Sequence, residues 1–295
     1  MRILITGITG YIGSHLAMSC AEEHQVFGLV RSPIRKDCLP KLHSKVTLLS
    51  YDNTYSAMCK VMAESHPDLV YHLATYYTPL RSQAVPQLLQ SNVILGGYLL
   101  EAMNDIGCRR LVNASTITEC SADGAFCPLT LYAASKRAFQ DLATYYISTG
   151  QLDMATLYLS DTYGPGDSRP KVINLLKKAA EIGGRMELTA GDQDYDGVYI
   201  DDVIRSFRLA GDRLCRGLDQ GHVRYQVFSD SPRTLRETVQ KFQQISGGRA
   251  EICWGARNLP AGAYKKAPRI FPSVPGWRTN VSLEEGLTQV WKKRI

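Results

Sequence analysis

Tyr132 and Lys136 stand four residues apart in the run Tyr132-Ala133-Ala134-Ser135-Lys136. On a helix that spacing puts both side chains on one face. An ammonium beside a phenol favours the phenolate and draws its pKa down from about 10. Tyr132 then becomes a general acid or base. Such a pair also occurs on ordinary helix surfaces, so its place in the chain decides its meaning. It follows an apolar run that ends in Asn113-Ala114-Ser115-Thr116. The hydroxyls there fall at the carboxyl end of a strand, where ligands bind in parallel sheets.

Upstream of both lies Thr6-Gly7-Ile8-Thr9-Gly10-Tyr11-Ile12-Gly13, a G-x-x-G-x-x-G turn between an apolar run and a helical pattern. Glycines let a pyrophosphate approach the backbone, and the helix start offers free N–H groups and a positive dipole end. A glycine turn without a ligand is the plainer alternative. The strand-turn-helix setting favours a dinucleotide cradle made by Gly7, Gly10, Tyr11, Ile12 and Gly13. The second apolar run ends in Leu29-Val30-Arg31-Ser32, with Arg35 and Lys36 close behind. NAD-preferring folds usually place an acid here to hold the ribose hydroxyls. A guanidinium suits a 2′-phosphate instead, so NADP(H) is the expected cofactor, against a merely solvated basic loop. Asp52 and Asn53 are expected at the adenine edge.

The elements that must position these groups are legible as patterns. Strands are expected over Arg2–Ile5, Gln25–Val30, Val46–Leu49, Leu69–Leu73, Arg110–Ala114 and Asp153–Leu159. Helices are expected over Tyr11–Glu22, Tyr55–Glu64, Pro86–Asp105 and Leu131–Ser148. This alternation predicts an α/β fold with a doubly wound parallel sheet. Continuous apolar runs such as Ile3-Leu4-Ile5 fit strands covered on both faces. After Tyr163-Gly164-Pro165-Gly166 the alternation loosens. A dinucleotide-binding domain over 1–165 and a smaller substrate-binding lobe over 166–295 are expected, with the stretch near 198–210 a candidate to return to the first.

Composition excludes several classes. The 295 residues are 44% hydrophobic, ordinary for a globular protein, and the net charge of +6 is not gathered into a basic run. Nucleic acid is therefore not expected as a partner. No apolar run reaches the ~18 residues of a membrane helix, and Met1–Thr6 enters a strand pattern at once, so a cytoplasmic, membrane-free protein is expected. The eight cysteines form no C-x-x-C pair and the six histidines show no metal-ligand spacing, so neither a disulfide framework nor a metal site is expected.

Taken in order, these motifs resemble the extended short-chain dehydrogenase/reductases of the nucleotide-sugar branch, nearly end to end. The resemblance includes the glycine turn, His72-Leu73-Ala74, Asn92-Val93, Ser115-Thr116, Tyr132-x-x-x-Lys136 and Thr162-Tyr163-Gly164-Pro165-Gly166. It continues through Tyr199-Ile200-Asp201-Asp202-Val203, Gly276-Trp277 and Leu283-Glu284-Glu285-Gly286-Leu287. It implies proton transfer by Tyr132, support of that residue and of the nicotinamide ribose by Lys136, and a hydrogen bond to the sugar oxygen from Thr116, with Ser115 second in line. It places Leu73 and Ala74 beside the cofactor. It also implies a homodimer, whose seam in relatives is built from helices equivalent to 86–105 and 131–148; here these carry Leu88, Leu89, Tyr98, Leu99, Tyr145 and Tyr146.

Within that family three reactions compete. Dehydratases carry Asp-Glu after the catalytic Thr, but Ile117 and Thr118 stand there, and Glu119 is one place too far along. Epimerases cycle a tightly held NAD, which Arg31 disfavours. Net reduction of a ketone by NADPH is the favoured reading. An NAD-dependent 4-epimerase and a non-catalytic NADP sensor are the alternatives. Thr75, Tyr76 and Tyr77 are expected to line the sugar pocket, with a plain core-to-loop transition as the alternative. Asp161 and Tyr195 replace the family's usual Asn and Arg, and Arg169 and Lys171 are expected to meet a diphosphate. Ala74-Thr75-Tyr76-Tyr77 together with 161–171 resembles the CDP-paratose and CDP-abequose synthase type of 4-ketoreductase, of deoxysugar and O-antigen synthesis, and implies a CDP-linked deoxyhexulose as substrate.

Overall fold

Strand residues alternate between faces, so a strand that is apolar throughout must be covered twice. The computed structural model, which describes residues 1–32, 44–77, 84–260 and 263–293, shows how. The chain runs β1 (Arg2–Thr6), α1 (Tyr11–Ala21), β2 (Gln25–Arg31), β3 (Val46–Tyr51), α2 (Tyr55–Ser65) and β4 (Leu69–His72). It continues with α3 (Val85–Leu89), a π-helical turn (Gln90–Ile94), α4 (Leu95–Asp105), β5 (Arg110–Thr116), a 3₁₀ turn (Ile117–Glu119), α5 (Leu131–Ser148) and β6 (Asp153–Leu159). Then come β7 (Asp161–Tyr163), α6 (Val172–Ile182), β8 (Arg185–Glu187), β9 (Asp194–Tyr195), β10 (Gly197–Tyr199) and α7 (Ile200–Cys215). The last elements are β11 (His222–Val227), β12 (Arg233–Thr234), α8 (Leu235–Ser246), β13 (Glu251–Cys253) and α9 (Leu283–Lys292).

Seven strands form one parallel sheet in the order β3-β2-β1-β4-β5-β6-β11. This is the doubly wound arrangement that the alternation predicts. Ile3 and Ile5 join the apolar cluster that holds Leu16 and Ala17 of α1 and Phe207 of α7. Leu4 between them joins the cluster that holds Met58 of α2, Leu99 of α4 and Phe139 of α5. The same split recurs at Tyr71 and Val70, and at Val112 and Leu111. The first cluster also continues into Ile173 and Leu176 of α6 and Phe242 of α8, so the sheet and the C-terminal elements share one core. The last sheet strand, β11, and the helix α7 before it lie past residue 165, while β8 with β13 and β9 with β12 form small separate ribbons. No helix among the described residues is long and apolar enough to cross a membrane.

The helix expected over Pro86–Asp105 is present without a break but is not uniform. Between residues 85 and 105 the chain makes α3, the π-helical turn and α4, and this turn buries Asn92 completely. Leu88 and Leu99 face the core, whereas Leu89, Ile94, Leu142 and Tyr145 are exposed.

The carboxyl ends of β1 and β4 meet where the winding reverses, which is the ligand crevice of such sheets. Gly7, with φ of 72°, sits there: a Cβ on it would lie 2.7 Å from the backbone of Leu73 and Ala74. A Cβ on Gly13 would overlap the carbonyl of Gly7. The turn is therefore closed by backbone packing that only glycine permits. We expect Gly13→Ala to lower stability by about 1–3 kcal/mol, read as a drop in the urea midpoint. A midpoint unchanged from the parent would show that the turn relaxes freely.

Candidate active site

The first turn of α1 opens on Gly10, whose lack of a side chain leaves the helix N–H groups without a side-chain cap. Gly10 N–H donates to Gly7 O at 2.9 Å, closing the loop in front of them. On the other side of the crevice, Leu73 N–H donates to Thr6 O at 3.2 Å and Ala74 N–H to Thr6 Oγ1 at 3.1 Å. These groups make an uncapped, positive helix end against a flat backbone wall, which fits a pyrophosphate. Arg31 is exposed at the end of β2, and Asp52 and Asn53 are exposed just past β3. The Asp52 carboxylate accepts from Thr54 N–H at 3.1 Å and Thr54 Oγ1 at 2.6 Å, and these bonds hold it below the usual carboxylate range. Arg35 lies outside the described residues.

The catalytic candidates meet at the carboxyl ends of β4 and β5. α5 starts cleanly because Thr130 Oγ1 accepts from Ala133 N–H at 3.1 Å. Tyr132 and Lys136 follow on its inner side, and Lys136 is 1% exposed. Thr116 ends β5 half-buried, its hydroxyl 2.9 Å from that of Thr118. Ser115, the alternation partner of Thr116, points the other way and donates to the buried carboxylate of Glu119. Tyr77 is 66% exposed and sets its ring edge-on to Tyr132, centroids 5.1 Å apart.

The electrostatics differ from the expectation for an isolated Tyr–Lys pair. The Tyr132 phenol is held above its ordinary value, chiefly by burial, with Glu119 and Tyr77 adding and Thr75 and Arg169 opposing. Burial also weakens the partner: the Lys136 ammonium is drawn down to about 8. Desolvation of the phenolate outweighs the pull of the cation here. A phenol that stays protonated suits a proton donor.

Asn92, in the π-helical turn, holds the loop after β4. Its Oδ1 accepts from Tyr76 N–H at 2.7 Å and Thr75 Oγ1 at 3.1 Å, and its Nδ2 donates to Ser135 Oγ at 2.9 Å and Tyr76 O at 3.2 Å. One buried amide thus fixes Thr75 and Tyr76 against α5. π-helical turns in helices recur at functional sites.

The expected diphosphate residues are placed unequally. Arg169 pairs through Nε with Asp167 Oδ1 at 2.7 Å and lies 5.0 Å from the Tyr11 ring centroid. The buried carboxylate of Asp167 aims this guanidinium across the glycine turn. Lys171 and Asp161 pair with each other at 2.8 Å, both partly exposed. Tyr195 is 7% exposed within the apolar core, its ring packed over Gly197, so it is placed as a core residue and not on a cleft surface.

Glu119, Gln140, Ser135 and Asp167 complete the site and were not among the candidates. A signal existed for two of them. Ser135 and Gln140 sit on the α5 face that also carries Ala133, Phe139 and Ala143, and polar residues on an apolar face call for partners.

This fold and this site define the class. The chain matches the NAD dependent epimerase/dehydratase family over residues 3–224 and belongs to it. It is an NAD(P)-dependent enzyme of the extended short-chain dehydrogenase/reductase type, on the nucleotide-sugar branch. It is 23% identical to the CDP-abequose synthase of Salmonella muenchen over 292 residues, 98% of this chain and 96% of that one. It is 28% identical to the UDP-glucose 4-epimerase of Mycolicibacterium smegmatis over 311 residues, 98% of this chain and 97% of that one. Its fold is that of the UDP-glucuronic acid 4-epimerase of Bacillus cereus, solved with UDP-glucuronic acid and NAD. That likeness has a TM-score of 0.86 at 22% identity and covers 99% of this chain and 98% of that one.

Removing the Asn92 amide would leave the Tyr76 N–H and the Thr75 and Ser135 hydroxyls short of partners. Asn92→Ala should lower the free energy of unfolding by about 1–3 kcal/mol, measured by urea titration. A loss below about 0.5 kcal/mol, the ordinary range of a surface change, would show that the loop is held by other contacts.

Proposed function

We propose that the protein reduces the 4-keto group of a nucleotide-linked deoxyhexulose with NADPH. The observation that carries this reading is Arg31, a guanidinium exposed at the end of β2 where a 2′-phosphate would lie, joined to a complete Thr116–Tyr132–Lys136 set. The similarity to CDP-abequose synthases along nearly the whole chain supports a CDP-linked substrate. Gly7, Gly10, Tyr11, Ile12, Gly13, Leu73 and Ala74 would hold the dinucleotide, with Arg31 and Arg35 at the 2′-phosphate and Asp52 and Asn53 at the adenine. A bound nicotinamide supplies the hydride that reaches the carbonyl carbon. Thr116 hydrogen-bonds the sugar oxygen. Tyr132 gives that oxygen its phenolic proton. Lys136 holds the ribose, and its charge favours the phenolate left behind. Thr75, Tyr76 and Tyr77 line the sugar, Arg169 meets the diphosphate, and the residues past 165 cover the substrate.

The absence of an Asp-Glu pair after Thr116 argues against dehydration, since Ile117 and Thr118 cannot move protons. A 4-epimerase is the second reading, favoured by the similarity to UDP-glucose 4-epimerase. The exposed Leu89, Ile94, Leu142 and Tyr145 support a homodimer through α3, α4 and α5.

The decisive experiment follows NADPH absorbance with a panel of CDP-, UDP-, GDP- and dTDP-linked 4-keto sugars. Tyr132→Phe should lower kcat by about 10²–10⁴-fold while NADPH binding stays within a few-fold of the parent. Purified protein carrying NAD that does not exchange would overturn reduction in favour of epimerisation. NADPH binding without turnover of any such sugar would favour a sensor. Arg31→Asp should reduce the preference for NADPH over NADH by about 10- to 100-fold. Equal loss of both cofactors would remove Arg31 from the 2′-phosphate.

A further inference from the structure

Glu119 is a fully buried acid that the proposed chemistry does not use. It ends the 3₁₀ turn that begins just past Thr116. Its hydrogen-bond donors are neutral: Ser115 Oγ on one oxygen and Gln140 Nε2, at 2.6 Å, on the other. Gln140 is held in turn by Tyr158, whose hydroxyl donates to Gln140 Oε1 at 2.9 Å. Tyr264 clamps the backbone of the same turn by donating to the carbonyls of Ile117 and Cys120. The carboxylate is thus fixed by a chain of buried polar groups from β5 through α5 to β6.

The same helix presents Lys136 one turn before Gln140, so the ammonium and the carboxylate face one buried region. Lys136 makes no hydrogen bond to a described residue. Two buried groups of opposite sign in one region act on each other strongly, because little water lies between them.

We propose that Glu119 is the counter-charge of Lys136: a positioning residue that keeps the buried ammonium charged and, by its grip on Ser115, holds the turn next to Thr116. It touches neither substrate nor cofactor. The shifts agree with this geometry. Burial depresses the Lys136 ammonium and Glu119 alone opposes it; burial raises Glu119 to about 7, and Lys136 is among the groups that oppose that. The other titratable groups around the pair are His72 on β4, Tyr132 and Arg137 on α5, Cys120 after the turn, Tyr158 on β6 and Arg224 on β11. None replaces Glu119. Burial keeps His72 neutral, and Tyr158 and Cys120 are pushed above their ordinary values. Arg137 pairs with Asp141 at 2.9 Å, and Arg224 lies against the Phe126 ring.

The role of the pair in catalysis rests on the reading of Tyr132 and Lys136 given above, but the charge coupling can be tested without any substrate. Protein labelled with ¹³C at lysine Cε is titrated by NMR, and the Lys136 signal is identified by its loss in Lys136→Met. The wild-type midpoint should lie near 8. An acid that opposes desolvation raises a neighbouring ammonium's pKa, so its removal must lower it. Glu119→Gln keeps the volume and the hydrogen-bonding chain, since Gln140 can reverse its amide toward Tyr158. Its Lys136 midpoint should fall by at least about one pH unit. Glu119→Asp, which keeps the charge, should fall by less. An unchanged or raised midpoint in Glu119→Gln overturns the proposal. If that variant does not fold, Glu119→Ala, which also removes the charge, is titrated instead, and an unchanged or raised midpoint there overturns the proposal. Where an active substrate is in hand, the alkaline limb of kcat/KM in Glu119→Gln should move down with the midpoint. A uniform fall in kcat at every pH, with the limb unmoved, would leave Glu119 with a structural role only and also overturns the proposal. Failure to find a substrate overturns the reductase reading alone, since the lysine titration stands without it.

Discussion

Gly7 brings the end of β1 against the backbone of Leu73 and Ala74, with room between them for a hydrogen atom and little else. The rest of the site follows from that contact. It fixes the distance between the two strands where the winding reverses. It lets α1 start at Gly10 with free N–H groups toward the crevice, and it sets Ala74 at the head of the loop that Asn92 then clamps. Gly164 extends the same logic to the C-terminal side, where its missing side chain admits the Tyr11 hydroxyl. The glycine turn, the loop after β4 and the turn that bears Arg169 therefore meet at one set of close glycine contacts.

On this frame the chemistry is governed by desolvation. Tyr132, Lys136 and Glu119 are all shifted first by burial and only then by one another. Burial keeps the phenol protonated, threatens the lysine's charge and makes a nearby acid influential. A site that gives a proton to a carbonyl oxygen benefits from the first effect and must manage the second.

The fold was readable because its signals are repetitive. Ile3-Leu4-Ile5 and Leu69-Val70-Tyr71 fit strands buried on both faces, and the glycines announce the turn between β1 and α1. That Tyr132 and Lys136 share a helix face followed from i, i+4 spacing, and their candidacy from their place after the glycine turn and the Ser115-Thr116 strand. Their electrostatics did not follow, because burial depends on what α5 packs against, which no local pattern states. Tyr195 shows what position in a motif leaves out. It stands where the family has an Arg, which pointed to the substrate, and β9 buries its ring beside Gly197. Glu119 was weighed only as a dehydratase acid and set aside by its position, because its partners, Gln140 and Lys136, lie on a different element. The late motifs proved to be packing devices: Asp202 Oδ2 accepts from Asn280 and Val281 N–H at 3.0 Å each, and Gly286 makes room for the Tyr163 ring.

The π-helical turn at Gln90–Ile94 has a consequence for how this chain tolerates insertion and deletion. Such a turn accommodates one residue more than a plain α-helix, which rotates everything after it by about 100°. Deleting one residue from this stretch would leave a smooth helix of good composition and still turn Asn92 away from Tyr76. The information that places the loop after β4 is therefore carried partly by a count of residues, which no substitution at another position can restore.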